Sequence, residues 1–335
     1  LLIIFTPISP RSLPIENQYT TTPTSTPRPL PTLTIDQAEC ELSVIVPAFN
    51  EEDRLGVMVD EAMEYLLDPR SQIGVIIEKS NEKVDVEIIV VDDGSSDGTT
   101  RIARELAAKW AKITGARNVE IRVVKMLNNV GKGGTVQHGV LHARGKYILF
   151  ADADGATRFS DIALLLNAMK DVRDEQGHGM VVGSRAHLVT SEAVVKRSKL
   201  RNMLMHGFHL FLRTLGVRGI RDTQCGFKLF TRQTAALLFP TLHLSRWSFD
   251  VELLLLATLI SPPIPVKEVP VVWHEVNGSK IRLGWDSIGM MRDLLVLRGN
   301  LFVGRWIVPT RQVIRKDKGN DSEPAKHGDG DDELR

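Results

Sequence analysis

The chain has 335 residues, of which 43% are hydrophobic and 25% charged, and its formal net charge is +1. That is enough apolar material for one large domain or two ordinary ones, and the charge balance gives no case for a nucleic-acid partner. Two cysteines, Cys40 and Cys225, cannot build a disulfide framework, and no uncharged apolar run reaches the ~18 residues of a complete transmembrane helix.

Leu1–Phe5 reads either as the end of a hydrophobic segment or as the apolar start of a disordered leader. Residues 6–38 are rich in Pro, Thr and Ser, so 1–40 is expected to be a disordered linker, following a possible truncated membrane anchor. From there strands and helices alternate. Leu42–Pro47 reads as a strand, Glu51–Leu67 as a helix, Val86–Val91 as a strand, Asp97–Ile113 as a helix, Ile121–Lys125 as a strand, Gly133–Arg144 as a helix and Tyr147–Ala151 as a fourth strand. Pro69–Asp85 is an irregular insertion, and 311–335 is a charged tail expected to be disordered. Near-continuous apolar strands alternating with helices predict an α/β fold with a mostly parallel central sheet. Ligands of such sheets bind beyond the carboxyl ends of the strands.

Each of those four ends carries polar residues. The first has Pro47, Asn50 and Glu51, which could read a nucleobase or simply start a helix. The second has Asp92 and Asp93 before Gly94-Ser-Ser-Asp-Gly98, where a carboxylate could accept from a ribose hydroxyl or a base N–H, or the loop could only cap the next helix. The third has Asn128-Asn-Val-Gly-Lys-Gly-Gly134, in which glycines at a helix start would admit phosphate oxygens to backbone N–H groups and Lys132 adds charge. Neither a Walker loop nor a Rossmann fingerprint is present. The fourth has Asp152 and Asp154, whose alternate spacing turns both carboxylates the same way at a strand end, where they could grip a hard divalent cation. Together these imply a nucleoside-diphosphate site with a metal on the pyrophosphate. His138 and His142 are four apart but lack a third ligand, so zinc is not expected. Cys225 reads as a packing residue.

With these strings in place the chain resembles the inverting GT-A glycosyltransferases of family 2. The matching stretches are Ser43–Glu51, Ile89–Gly98 and Asp152-Ala-Asp154. Downstream, Val182-Gly-Ser-Arg185, Arg201-Asn202, Asp222–Phe230 and Arg246–Glu252 are most similar to the branch that charges dolichyl phosphate, and within it to the glucose-transferring members. The resemblance spans about residues 41–308 and implies a GT-A fold, UDP-glucose as donor, dolichyl phosphate as acceptor, Mg²⁺ or Mn²⁺ as cofactor, and work at the cytosolic face of the endoplasmic reticulum membrane. A GDP-mannose donor with the same lipid is the nearest alternative. A non-catalytic nucleotide-sugar-binding protein is a further one.

On this reading residues 41–245 form the nucleotide-sugar-binding catalytic domain, and 246–310 its acceptor- and membrane-facing part. Asp154 is the first choice for metal ligand, with Asp152 on the ribose or on the metal through water. Asn50 or Glu51, with Asp92 and Asp93, hold the nucleoside. The acceptor is a phosphate oxygen, already largely anionic near neutral pH, so cationic seats matter more than a strong base. Arg185, Arg197 and Arg201 are the candidates, because a guanidinium fork matches phosphate geometry. Should a base be used, Asp222 is preferred and Asp250 is its rival. In-line attack would invert the anomeric carbon. Leu200–Val217 and Ser287–Val308 combine Leu, Met and Phe with Arg, and either could lie as an amphipathic helix in a membrane interface or pack on the core.

Overall fold

The computed structural model describes residues 14–73, 85–113, 118–190, 219–276 and 285–311. Nine strands are assigned among them: β1 (Gln18–Tyr19), β2 (Arg28–Pro29), β3 (Cys40–Ala48), β4 (Val86–Asp92), β5 (Val119–Lys125), β6 (Gly145–Ala151), β7 (Met180–Ser184), β8 (Phe227–Thr231) and β9 (Val266–Pro270). The α-helices are α1 (Leu55–Leu67), α2 (Thr99–Trp110), α3 (Lys132–Leu141), α4 (Ile162–Val172), α5 (Arg232–Leu238), α6 (Phe249–Leu259) and α7 (Trp285–Phe302).

Seven strands form one sheet in the order β5-β4-β3-β6-β8-β7-β9. β5, β4, β3 and β6 run parallel to one another; β8 runs antiparallel to both of its neighbours, β6 and β7, and β9 lies parallel to β7. The α/β expectation therefore holds, with one reversed strand set into a mostly parallel sheet. Strand residues alternate between two cores. Ile45, Ile89, Ile148 and Phe230 pack toward α3, α5 and α6. Val44, Ile88, Leu149 and Leu229 pack toward α1, α2 and α4. Helix α6 is buried along nearly its whole length and has few polar positions, as expected of a helix inside a core.

The four strands and three helices expected from 42 to 151 all form, with boundary shifts of a few residues. Helix α1 begins at Leu55 because Glu51–Arg54 make a turn, in which Arg54 N–H and Leu55 N–H both donate to Glu51 O. Pro47 costs no ladder bond at that point. β3 still pairs with β4 there, but its pairing with β6 has ended at Ile45 opposite Phe150.

The amino-terminal expectation needs correction from residue 14 onward. Residues 14–39 are strapped across the domain. Thr20 bridges Val123 on the β5 edge, and Tyr19 and Leu33 are buried in the core. Leu127 N–H donates to the Glu16 carboxylate, and the Arg232 guanidinium donates to the carbonyls of Leu33 and Asp36. The proline-rich composition suppresses regular structure while these anchors remove the freedom. His138 and His142 meet the strap at the carbonyls of Glu16 and Pro31, and burial lowers the His138 pKa to about 4, so both serve packing. Among the described residues no helix is long and apolar enough to cross a membrane.

Candidate functional site

The carboxyl ends of β3, β4, β5 and β6 lie side by side, and the predicted polar residues sit on the loops that leave them. Asn50 takes the left-handed conformation, with φ of 52°. Its N–H donates to Ser95 Oγ at 2.9 Å, and its Oδ1 accepts the Ser96 N–H at 2.9 Å. Its visible partners thus join the β3 loop to the β4 loop. Glu51 is buried and accepts from Nε and Nη2 of Arg54, while its N–H donates to Thr99 Oγ1.

Asp92 and Asp93 diverge. Asp92 is fully buried toward α2, where it accepts the Ser95 N–H and the Thr100 hydroxyl. Asp93 turns the other way and accepts Val130 N–H at 2.7 Å and Gly131 N–H at 3.0 Å. Burial raises the Asp93 pKa to about 6, outweighing those hydrogen bonds. A carboxylate raised in this way favours the fold most below its unfolded value near 4, and that contribution is lost as pH rises through 6. Asp93→Asn removes the titration. The melting-temperature advantage of the native chain over the variant should therefore shrink between pH 4 and 7, by the equivalent of roughly 2 kcal/mol. A constant difference across that range in calorimetry counts against the assignment.

The glycine loop departs from its expected use. Val130 and Gly131 give their N–H groups to Asp93, and Gly134 N–H donates to Ser245 O at 2.9 Å. A Cβ on Gly131 would meet Ser245 O at 2.7 Å, and one on Gly133 would meet Leu244 O at 2.7 Å. The glycines thus admit the backbone of residues 244–246, and these N–H groups are not offered to a phosphate. What the loop delivers to the site is Lys132. Its ammonium lies 2.6 Å from Asp152 Oδ1 and 5.8 Å from the Trp247 ring centroid. Burial pulls its pKa down, but the carboxylates of Asp152, Asp250 and Asp154 more than offset this and hold it above the ordinary lysine value.

Asp152 and Asp154 follow β6. The Asp152 N–H donates to Gly226 O at 3.1 Å, and its side chain is 32% exposed. Asp154 accepts the Ala156 N–H at Oδ1, and among the described residues its other oxygen has no protein partner. No group of three or more His, Cys, Asp or Glu side chains suited to a metal occurs among the described residues. Two partly exposed carboxylates one residue apart suit a hard cation that completes its shell with substrate phosphate oxygens.

The two candidate bases are placed differently. Asp222 is consumed by Arg185, which donates Nε at 2.7 Å, Nη2 at 2.9 Å and its main-chain N–H at 2.9 Å. Burial raises the Asp222 pKa, but the guanidinium and its hydrogen bonds prevail and hold it below the usual carboxylate value, so it is a poor proton acceptor. Asp250 is buried at the start of α6 and bound at 2.6 Å by Lys228, a wholly buried lysine that also donates to Cys225 O. Burial raises the Asp250 pKa against the opposing pull of Lys228 and Lys132. Arg185 sits 5.6 Å from the Trp273 ring centroid, and the Asp152 charge is among those acting on it. Arg197 and Arg201 lie outside the described residues, as does the segment 200–217.

Several contributors escaped sequence reasoning. Lys228 looks like an ordinary strand lysine. Gly226 matters because a Cβ there would overlap the Asp152 carboxylate. Glu268 accepts the N–H groups of Arg221 and Asp222 from a strand far along the chain. A cavity of about 320 Å³ opens beside Ser95, Thr100 and Lys125, and its lining includes none of Lys132, Asp152 and Asp154.

The sequence pattern of Glycosyl transferase family 2 matches residues 43–235. The dolichyl-phosphate beta-glucosyltransferase of Dictyostelium discoideum is 46% identical over 265 residues, covering 79% of this chain and 76% of that protein. The human protein of the same name is 43% identical over 272 residues, covering 81% and 79%. Among solved structures, glucosyl-3-phosphoglycerate synthase of Mycobacterium tuberculosis in complex with UDP superposes with a TM-score of 0.51 at 18% identity, covering 80% of this chain and 83% of that one. The same enzyme with Mn²⁺, UDP-glucose and phosphoglyceric acid gives 0.50 at 19% identity, covering 83% and 86%. At such identities the likeness establishes a shared GT-A-like fold. With the match to the family pattern and the close curated relatives, it follows that this chain belongs to glycosyltransferase family 2, alongside the dolichyl-phosphate β-glucosyltransferases.

Proposed function

We propose that the protein transfers glucose from UDP-glucose to dolichyl phosphate with inversion, forming dolichyl β-D-glucosyl phosphate. The relatives' names support the sugar and the lipid. The observation that carries the chemistry is the Asp152–Asp154 pair beside Lys132, which holds Asp152 at 2.6 Å, with the Arg185 guanidinium near enough for the Asp152 charge to act on it.

In this reading Asp154 and Asp152 would hold Mg²⁺ or Mn²⁺. When bound, such a cation would neutralise charge that develops on the UDP leaving group. Lys132 exchanges its contact with Asp152 for a diphosphate oxygen. The loops linked by Asn50, Ser95 and Asp93 hold the nucleoside. Arg185, fixed by Asp222, seats the acceptor phosphate through the guanidinium hydrogens that Asp222 does not use. Asp222 is then a positioning residue, and Asp250 is the carboxylate better placed to take a proton. The phosphate nucleophile makes little demand on it near neutral pH.

The acceptor lipid implies contact with a bilayer, at the cytosolic face of the endoplasmic reticulum in this proposal. Helix α7 and the turn after it supply a surface for it. Leu294 and Leu297 are buried, whereas Ile288, Leu295, Phe302 and Ile307 are exposed and are interspersed with Arg292, Arg298 and Arg305.

A donor screen with dolichyl phosphate in detergent tests the proposal. UDP-glucose should give lipid-linked glucose at least about 100-fold faster than GDP-mannose gives lipid-linked mannose, with loss of turnover on chelation. Preference for GDP-mannose would reverse the sugar assignment.

A further inference from the structure

We propose that Glu268 is a positioning residue for the acceptor, setting the direction of the Arg185 guanidinium through Asp222 while Trp273 covers its flank. This rests on the reading of Arg185 as the acceptor-phosphate seat.

β9 is the edge strand next to β7, and Arg185 follows the end of β7 directly. From β9 the Glu268 carboxylate accepts two successive main-chain N–H groups, Asp222 at 2.9 Å and Arg221 at 3.0 Å. Among the described residues it has no cationic side-chain partner, so its charge is spent on the backbone of the turn that carries Asp222. A charged acceptor holds such N–H groups more firmly than a neutral one. Asp222 in turn takes three Arg185 donors, the main-chain N–H, Nε and Nη2. A guanidinium has five N–H bonds in a fixed plane. With two used in one direction, the Nη1 pair and the second Nη2 hydrogen are held in a known direction for a ligand oxygen.

The same stretch of chain reaches the carboxylate side. Trp273, five residues beyond Glu268, forms a β-bridge with Thr157, and His274 N–H donates to Ala156 O, just after Asp154 and Gly155. Residues 268–274 therefore tie the arginine seat to the Asp152–Asp154 loop and set the distance between them. In-line transfer depends on such a fixed separation.

Initial-rate kinetics on the full chain, varying UDP-glucose and dolichyl phosphate separately, test this. Glu268→Gln replaces one carboxylate oxygen with an amide that cannot accept. The acceptor KM should rise about 10-fold, with the donor KM within twofold of the parent, a split that a general loss of folding does not produce. Trp273→Leu, which leaves the carboxylate clamp in place, should move the same constant in the same direction. Combined with Arg185→Ala, Glu268→Gln should add nothing further. If Arg185→Ala raises the acceptor KM and Glu268→Gln does not, the seat stands and the role of Glu268 is overturned. If Arg185→Ala itself leaves the acceptor KM unchanged, the seat is elsewhere, and the route through Asp222 falls with it. Additive effects in the double variant, or equal rises in both KM values, also overturn the proposal.

Discussion

Asp154→Asn is expected to lower turnover about 10³-fold, equivalent to roughly 4 kcal/mol of transition-state stabilisation, while leaving the fold intact. The side chain is partly exposed, and its one described protein contact is the Ala156 N–H, which an amide oxygen can still accept. Little folding energy is therefore at stake, and the melting temperature should move by no more than a few degrees. What disappears is one of two anionic oxygen donors on the only loop of the described site that suits a hard cation. Asp152→Asn should be less clean. Its carboxylate also holds Lys132 at 2.6 Å, so the substitution frees that lysine as well as removing a donor. Transfer of radiolabelled glucose to dolichyl phosphate, read alongside Mn²⁺ binding by electron paramagnetic resonance with UDP present, separates the two. Full turnover and unaltered Mn²⁺ binding in Asp154→Asn would remove the basis of the assigned site.

How much of this was legible follows from the range over which each feature is determined. The strands β3, β4 and β6 could be read from apolar runs, because a strand buried on both faces has little polar alternation to conceal it, whereas the edge strand β5, with Glu120 and Arg122 between its apolar residues, was legible from its β-branched content. The loops at their ends were legible for a similar reason, since Asp, Asn and Gly cluster where the ladder stops. The meaning of each polar residue was less so. Asp92 and Asp93 are adjacent in sequence, yet strand alternation sends one to α2 and the other to the loop before α3. Both then spend their oxygens on protein donors. The glycines at 131, 133 and 134 have the look of a phosphate loop, but they answer to Ser245 and Leu244, more than a hundred residues away.

The same limit explains Asp222. In the sequence it is a lone acid before a compact turn, and its base role was a fair expectation. Arg185, the expected acceptor seat, stands 37 residues before it in the chain. Only the antiparallel insertion of β8 between β6 and β7 brings the two together, and it leaves Asp222 holding the arginine and no longer free to take a proton. The amino-terminal strap was missed for a different reason. Its composition matches that of unstructured linkers, and its order depends on single anchors, Tyr19, Leu33 and the Arg232 contacts, that make no periodic pattern.

The insertion of β8 has a second consequence, carried by Gly226. The Asp152 N–H donates to Gly226 O, so the two backbones meet where β6 ends and β8 begins. A Cβ at 226 would overlap the carboxylate of Asp152. The alanine methyl cannot retreat, because the main chain is held by that hydrogen bond and by the adjoining ladder, so the aspartate must turn away. Gly226→Ala should then displace the carboxylate by about 1 Å and lower turnover about 100-fold. Overpacking adds a stability cost of about 1–3 kcal/mol. Gly56→Ala provides the contrast: no atom lies within 4 Å of its added Cβ, it sits in α1, and alanine there should stabilise by up to about 1 kcal/mol without touching activity. Thermal melts and glucose transfer measured on both variants check the argument. If Gly226→Ala loses stability but keeps its turnover, the placing of Asp152 by β8 has no bearing on the chemistry, and the aspartate tolerates more than one position.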